Sequence, residues 1–302
     1  MTDDMIFDSE TLNSALPLID AALDEDLQDV GDLTSRATVP ERAIASVDIV
    51  SRDDGRLCGG VLIEHIYRRL AERSHSVDNV SVDVRLQDGA TLSRGSCLAT
   101  VRGPVQQLLT GERVVLNFLI HLSGIATLTN RFVQKVEGTG AVILDTRKTL
   151  PGYRRLHKYA VLCGGGTNHR MGLFDGVLIK DNHLAARQNQ SVASAVEDGR
   201  AFLNEQQLNL PIEVEVDTLE QLADVLRSRP DIVLLDNMPP SVLQQAVRLR
   251  DEHSPETLLE ASGGITLESV GCVAGSGVDR ISIGGLTHSA SAHDIGYDWS
   301  FQ

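Results

Sequence analysis

Long apolar stretches and paired cysteines are both missing from this 302-residue chain. No run of about 18 apolar residues occurs, so we expect no segment that spans a membrane. The cysteines Cys58, Cys97, Cys163 and Cys272 form no C-x-x-C pair, which argues against a disulfide framework or a structural zinc site. Cys163 is better explained as a small buried residue than as a nucleophile. The N-terminal residues are acidic and lack a signal-peptide apolar stretch, so we expect a cytoplasmic protein.

Lysine is also rare, and three of the four lysines fall between residues 141 and 187. The net charge of −15 argues against nucleic-acid binding. The same window nevertheless contains eight basic and three acidic residues, a local excess of five positive charges. A small polyanion bound to this segment would account for the excess, and a solvated basic face is the alternative.

The first third of the chain mixes predicted strands and helices. Strands are predicted at residues 44–50, 80–86 and 97–101, and a helix at residues 61–71. This combination indicates a small α/β sandwich. From Pro104 a long helical stretch runs to Glu137, with an interruption near Ser123 and Gly124.

From residue 141 onward, short apolar runs alternate with helix-like segments. The runs are residues 142–144, 177–179, 212–216, 232–235, 258–259 and 281–283, and the helices are 153–163, 192–206, 219–228, 242–250 and 267–274. Apolar strands that alternate with helices predict a parallel sheet covered by helices. Six such units favour an α/β barrel, and a doubly wound sheet is the alternative.

Polar or glycine residues follow these runs, at the strand ends where barrel active sites form. The carboxylates Glu215 and Asp236 would then share one edge, where they could bind Mg²⁺ directly or through water, or stabilise positive charge on a sugar. Glu213 has the same strand parity as Glu215, so alternation does not separate the two. An ion pair with the lysines of the barrel is the alternative for the acids.

Two further features at these strand ends are suited to anions. Gly263 and Gly264 precede a predicted helix, and a glycine backbone can approach a phosphate closely. Helix entry or a tight turn would also explain this glycine pair. Arg170 can hold a carboxylate through two hydrogen bonds. For His169, a structural role and a ligand contact both stay open.

The segment from Leu144 to Gly152, LDTRKTLPG, resembles the D-T-R-K-T-x-P-G segment of quinolinate phosphoribosyltransferases. Residues 158–161, 163–170 and 177–183 resemble the continuing family pattern, and further matches extend in order from residue 24 to 289. The resemblance implies an N-terminal α/β sandwich followed by an open, seven-stranded parallel α/β barrel. We therefore predict a sandwich domain over residues 1–116, joined by residues 287–302, and a catalytic barrel domain over residues 117–286. One barrel strand has no counterpart among the six runs.

The same resemblance implies roles for particular residues. Lys148, Glu215 and Asp236 would be catalytic, and the two acids would also bind the metal. Substrate-binding residues would be Arg113, Arg147, His169, Arg170, Lys180, Ser262, Gly263, Gly264, Ser282 and Gly284. Arg113 would reach the site of a neighbouring subunit, which implies a homodimer at least.

The implied reaction joins quinolinate to phosphoribosyl pyrophosphate and releases pyrophosphate and carbon dioxide. Its product, nicotinate mononucleotide, belongs to NAD biosynthesis, and Mg²⁺ is the expected cofactor. Three rivals remain: a related phosphoribosyltransferase for another acidic ring, a Schiff-base lyase that uses Lys148 or Lys180, and a phosphometabolite-binding barrel without turnover.

Overall fold

The computed structural model describes residues 7–74, 80–187 and 191–301. The elements of the first part are α1 (Ser9–Leu27), α2 (Leu33–Thr38), β1 (Ile44–Ser51), β2 (Gly55–Arg56), α3 (Leu62–Ser74), β3 (Ser81–Val84), β4 (Thr91–Leu92), β5 (Cys97–Pro104) and α4 (Val105–Val136). Those of the second part are β6 (Val142–Leu144), α5 (Arg154–Cys163), β7 (Val177–Ile179), α6 (Asp181–Ala185), α7 (Val192–Glu205), β8 (Ile212–Val216), α8 (Leu219–Val225), a 3-10 helix (Leu226–Ser228), β9 (Ile232–Asp236), α9 (Pro240–His253), β10 (Leu258–Ser262), α10 (Val270–Ala274), β11 (Arg280–Ser282), α11 (Gly285–His288) and β12 (Ile295–Phe301).

The chain forms two compact units. The first unit contains the described residues up to Asn130, the segment Thr149–Gly165 and the residues from Leu286 onward. The second unit comprises Arg131–Lys148 and the described residues of Gly166–Gly285. These units group residues by compactness, and the domain boundary between residues 116 and 117 stays a prediction.

The first unit is built around an antiparallel sheet with the strand order β12-β1-β5-β3. The alternation predicted for residues 44–50 is confirmed, because Val47 and Ile49 of β1 are fully buried. Strand β12, which the sequence pattern did not reveal, pairs with β1 from Ala45–Phe301 to Ser51–Ile295. The C-terminal segment therefore completes this sheet.

Helix α4 continues through Ser123 and Gly124, so the predicted interruption was wrong. The Ser123 hydroxyl accepts a hydrogen bond from the backbone N–H of Cys58 at 3.0 Å and donates one to the Cys58 carbonyl at 3.1 Å. At Gly124, a Cβ atom would lie 2.2 Å from the carbonyl oxygen of Ser291. These small residues permit close packing of a continuous helix.

Helix α4 is also long and apolar enough to cross a membrane by length and composition alone. Its most apolar 18-residue window has a mean hydropathy of 1.2, and 61% of that window is buried inside the protein. A core helix has the same properties, so this feature is weak evidence for a membrane span.

The second unit contains a parallel sheet with the strand order β6-β11-β10-β9-β8-β7. All six predicted apolar runs are strands of this sheet, with ends shifted by at most a few residues. From β7 to β11 each strand lies beside the next in sequence. A doubly wound sheet reverses direction along its strand order, so this alternative is wrong.

The predicted seventh strand is reduced to a single position. Thr167 forms an isolated parallel bridge with Leu144, at the outer side of β6. The backbone N–H of Thr167 donates to the Ile143 carbonyl at 2.8 Å, and the Thr167 carbonyl accepts from Asp145 at 3.3 Å. The sheet therefore has six strands and one bridge residue among the described residues.

A histidine pair joins α4 and α5 in the first unit. The Nε2 atoms of His121 and His157 are 2.7 Å apart, so one ring donates a hydrogen bond to the other. His157 is fully buried, and its Nδ1 atom has no hydrogen-bond partner. Burial, followed by the charge of His121, lowers the pKa of His157 to about 4. The pair therefore favours neutral rings.

We predict that this pair makes the protein less stable in mild acid. Because the folded pKa of His157 lies below its unfolded value of about 6.5, the unfolded chain takes up the proton first. The contribution is present above about pH 6.5 and is lost as the pH falls toward 4, by about 2 kcal/mol between pH 7 and 5. Urea unfolding of the native protein and of His157→Gln at pH 7, 6 and 5 measures this difference.

The control is His253→Gln, which replaces an exposed histidine near the end of α9. The control should keep the native pH dependence, whereas His157→Gln should flatten it. Equal pH dependence in His157→Gln and the native protein would contradict the prediction.

Candidate active site

Charged and polar side chains are aligned in rows on one face of the parallel sheet. Asp236, Ser262 and Ser282 are register partners across β9, β10 and β11, at the carboxyl ends of these strands. Two residues earlier, Glu215 and Glu260 both pair with Leu234. Since residues two apart in a strand share a face, both rows face the same side. The predicted convergence of strand ends therefore occurs for these residues.

Lys180 and Glu215 form an ion pair at this edge. The Lys180 Nζ atom, just after β7, lies 2.5 Å from Glu215 Oε2 on the neighbouring strand β8. The Lys180 side chain is 43% exposed and the Glu215 side chain 12% exposed. The alternative of an ion pair with a barrel lysine is thus realised for Glu215. It leaves the lysine accessible to a ligand.

Arg147 and Arg170 bring two guanidinium groups close together. In each of them the Nε atom is buried and has no hydrogen-bond partner. Burial, followed by the charge of Arg147, lowers the pKa of Arg170. Arg170 is steadied by one hydrogen bond, from its guanidinium to the Gly176 carbonyl at 2.9 Å. Two like charges held this close repel each other, so an anion bound between the arginines would be stabilised by both.

The loop after β10 is shaped by its contact with the loop after β9. Gly263 has φ +97°, and a Cβ atom there would lie 2.2 Å from Asn237 Oδ1. The backbone N–H of Asn237 donates to the Ser262 carbonyl at 2.9 Å. Gly264 has φ +59° with no atom near its missing Cβ, so the backbone there is open to an approaching ligand.

The helix predicted immediately after this loop begins later. Residues 267–269 form a turn, and α10 starts only at Val270. The turn is closed because Thr266 N–H donates to Ser269 Oγ at 3.0 Å and Ser269 N–H donates to the Thr266 carbonyl at 3.2 Å. A phosphate here would meet loop amides rather than the N-terminus of a long helix.

His169 belongs to a buried cluster. Its Nε2 atom is 3.1 Å from Glu213 and 3.4 Å from Glu260, and Glu260 also pairs with Arg280 at 2.9 Å. Burial alone would lower the pKa of His169, but Glu213 and Glu260 raise it to about 9. The Nδ1 atom, however, accepts the backbone N–H of Arg170 at 2.7 Å, which opposes a proton at that position. That hydrogen bond forms only while the ring is neutral with its proton on Nε2, so it opposes the rise in pKa that the two glutamates favour, and the geometry at Nδ1 is that of the neutral ring.

The structure separates Glu213 from Glu215, which strand parity could not do. Glu213 is buried beside His169, whereas Glu215 pairs with Lys180. Glu260 and Arg280 were missed, because the sequence pattern showed only the apolar part of β10. The charge at Glu260, between buried Leu259 and Ala261, was the available signal.

The remaining predicted residues lie in different surroundings. Ser282 is buried, and its hydroxyl is hydrogen-bonded to Glu260. Lys148 is exposed after β6, and Gly284 is half-buried after β11. Arg113 is exposed on α4, in the first unit, so it is described apart from the residues above.

Two groups of three side chains have the spacing of metal ligands among the described residues: Cys58, Asp88 and Cys163 in the first unit, and His169, Glu213 and Glu260 in the second. Neither contains Glu215 or Asp236. These two carboxylates nevertheless fit magnesium by the chemistry of their oxygen donors, because Mg²⁺ commonly takes one or two carboxylates and completes its shell with water and substrate phosphates.

A parallel α/β fold with arginines, a lysine and carboxylates at its strand ends defines an enzyme-type site for small anions. The family model described as "Quinolinate phosphoribosyl transferase, N-terminal domain" matches residues 32–123. The model described as "Quinolinate phosphoribosyl transferase, C-terminal domain" matches residues 125–298. The chain belongs to the quinolinate phosphoribosyl transferase family.

Individual relatives agree with this assignment. The chain is 46% identical to the nicotinate-nucleotide pyrophosphorylase [carboxylating] of Mycobacterium leprae, over 97% of this chain and 100% of that one. It is 41% identical to the probable enzyme of the same name from Bacillus subtilis, over 90% of each chain. The solved nicotinate-nucleotide pyrophosphorylase of Francisella tularensis superposes with a TM-score of 0.88 at 33% identity, over 99% of this chain and 100% of that chain. The predicted fold class is confirmed by this likeness.

Proposed function

We propose that this chain joins quinolinate to phosphoribosyl pyrophosphate and releases pyrophosphate and carbon dioxide, which gives nicotinate mononucleotide for NAD biosynthesis. Membership of the family supports this reaction. The observation that supports it most directly is the closeness of Arg147 and Arg170, since the charge of Arg147 adds to burial in lowering the pKa of Arg170. Quinolinate has two adjacent carboxylates, so two neighbouring guanidinium groups match its charge and its shape.

The pocket for the ring uses cations from three loops. Arg147 and Lys148 follow β6, Arg170 follows the Thr167 bridge, and Lys180 follows β7. In our proposal Arg147 and Arg170 bind the ring carboxylates, and Lys148 and Lys180 contact carboxylate or phosphate oxygens. The accessible side chain of Lys180 supports such a contact.

The sugar phosphate binds at the loops after β10 and β11 in this proposal. Ser262, Gly263 and Gly264 offer backbone N–H groups at one loop, and Gly284 does so at the other. The open backbone at Gly264 supports this placement. Ser282, whose buried hydroxyl is hydrogen-bonded to Glu260, ends β11 beside Ser262 and is included in the proposed phosphate site.

Glu215 and Asp236 are proposed to serve the ribose and the metal. When bound, Mg²⁺ would neutralise charge on the leaving pyrophosphate. The two carboxylates themselves accept hydrogen bonds from ribose hydroxyls and stabilise the positive charge that develops on the sugar. Lys180 holds Glu215 in place for this role.

The proposed reaction has two steps. The ring nitrogen attacks C1 of the ribose as the bond to pyrophosphate breaks. Carbon dioxide then leaves from C2, the electron pair remains on C2 where the adjacent positive nitrogen stabilises it, and a proton from water takes the place of the carboxylate. The arginines keep the 3-carboxylate in place while carbon dioxide leaves. This sequence needs no nucleophilic side chain, so the lysines act as cations and not as Schiff-base formers.

We also propose a homodimer in which Arg113 contributes to the site of the partner subunit. Its exposure on α4 supports this role. We propose a cytoplasmic location, which is supported by four free cysteines, since thiols stay reduced in the cytosol.

The proposed reaction predicts a specific substrate preference. The native protein with quinolinate, phosphoribosyl pyrophosphate and Mg²⁺ should release carbon dioxide and pyrophosphate in equal amounts, and nicotinate should not replace quinolinate.

Arg147→Ala and Arg170→Ala should each weaken quinolinate binding by about 2–5 kcal/mol, because one partner of a desolvated charge pair is lost. Calorimetric titration measures this affinity, and Arg227→Ala, at an exposed arginine, is the control. Unchanged affinity in both variants would refute the carboxylate assignment.

Amide substitutions at Glu215 and Asp236 should distinguish a catalytic role of these carboxylates from a structural one. Glu215→Gln and Asp236→Asn should lower Mg²⁺-dependent turnover by about 10²–10³-fold, since each removes one preorganised charge. Stability should change by at most about 1 kcal/mol, because Lys180, the partner of Glu215, is 43% exposed, and Asn237, whose amide donates to Asp236, is exposed. Thermal unfolding and turnover are measured together, with exposed Glu197→Gln on α7 as the control. A large loss of melting temperature with normal turnover would show that these acids are structural.

Mixed dimers should test whether Arg113 acts across the subunit interface. Arg113→Ala and Lys148→Ala chains should each be inactive alone. Coexpression of the two with different affinity tags should restore about a quarter of native activity, because half of the dimers are hybrids with one intact site. Purified hybrids that remain inactive would rule out the shared site.

A further inference from the structure

The buried cluster of His169, Glu213 and Glu260 has no part in the steps above. The side chains are 9%, 5% and 0% exposed. The His169 Nε2 atom lies 3.1 Å from Glu213 Oε2 and 3.4 Å from Glu260 Oε1. Burying two carboxylates so close together is costly unless both interact with the imidazole between them.

The other side of the imidazole holds the backbone that leads to Arg170. His169 Nδ1 accepts the N–H of Arg170 at 2.7 Å, and Asp145 Oδ1 accepts the N–H of His169 at 2.9 Å. The backbone N–H groups of His169 and Arg170 are therefore held by side-chain acceptors rather than by a neighbouring strand. These two hydrogen bonds fix the backbone at Arg170 and therefore the point from which its side chain extends.

The two contacts of the ring determine its tautomer. An acceptor at Nδ1 needs a lone pair there, so the proton of the neutral ring lies on Nε2 and points at the carboxylates. The spacing of the three side chains also suits a metal ion. A metal on Nε2 would require the proton on Nδ1, where it would face the N–H of Arg170. The observed bond therefore disfavours a metal at this cluster.

We infer that Glu213 and Glu260 are positioning residues that fix the His169 tautomer and, through it, the place of Arg170. Glu260 is itself held by Arg280, its register partner on β11, at 2.9 Å. The inference rests on the proposed function insofar as Arg170 binds a carboxylate of the substrate. Replacing a carboxylate that orients a metal-bound histidine commonly changes activity or affinity by about 10–100-fold, and we expect an effect at the lower end of that range for the metal-free His169.

The test combines kinetics with a spectroscopic readout of the ring. In Glu213→Gln or Glu260→Gln, the amide can donate to Nε2 and so stabilise the wrong tautomer, with the proton on Nδ1. KM for quinolinate should rise about tenfold with kcat within about threefold of native. The ¹⁵N shifts of His169 in histidine-labelled protein should move from the Nε2–H pattern toward the Nδ1–H pattern. Glu220→Gln, an exposed glutamate of α8, is the control for both readouts.

Two substitutions of His169 cover the case in which the glutamate variants do not fold. His169→Asn keeps an acceptor near the Nδ1 position, whereas His169→Gln reaches toward the carboxylates but loses that acceptor. The His169→Asn variant should therefore bind quinolinate more tightly than the His169→Gln variant.

Equal quinolinate affinity in the Asn and Gln variants would overturn the inference. A native tautomer and native KM in both folded glutamate variants would do so as well. If the native protein does not turn over quinolinate, the proposed function fails, and the tautomer shift still decides the positioning role.

Discussion

The site depends on neutralising a dense group of cations without blocking them. Burial and the charge of Arg147 both disfavour the charged form of Arg170, and Lys180 lies just after β7 in the same unit. Glu215 offsets the charge of Lys180 through an ion pair that leaves the lysine 43% exposed. Glu213, buried nearby, favours the charged form of Arg170 without a direct hydrogen bond to its Nε atom. The carboxylates thus stabilise the pocket from beneath and leave donor groups for an anion.

The parallel sheet makes this arrangement possible because its strands are in register. Glu215 and Glu260 occupy one row through their common partner Leu234, and Asp236 and Ser262 occupy the row nearer the strand ends. Glu213, two residues before Glu215 on β8, therefore lies one row deeper than Glu215, and Glu260 lies one row deeper than Asp236. The same sheet supplies both sets, since residues two apart on a strand share a face.

The sequence could predict elements whose signal is local. Each of the six apolar runs became a strand, because burial on both faces of a parallel sheet requires short apolar segments. Contacts distant in sequence were not predictable in this way. The continuity of α4 depends on Gly124 packing against Ser291, and β12 is recognisable only when paired with β1. Only a single bridge residue, Thr167, marks the seventh strand.

In the candidate site, too, the sequence predicts the types of residue but not the side chains that each of them contacts. The residue types of Arg170, Glu215 and Asp236 pointed to anion and metal chemistry from the sequence alone. Parity could not tell Glu213 from Glu215, because the difference lies in what each one meets: His169 for the first and Lys180 for the second. Glu260 was invisible for a related reason, since a charge within an apolar strand acquires meaning only from its partners Arg280 and His169. Residues proposed to contact substrate are therefore readable from motifs, whereas residues proposed to position them emerge only from the folded geometry.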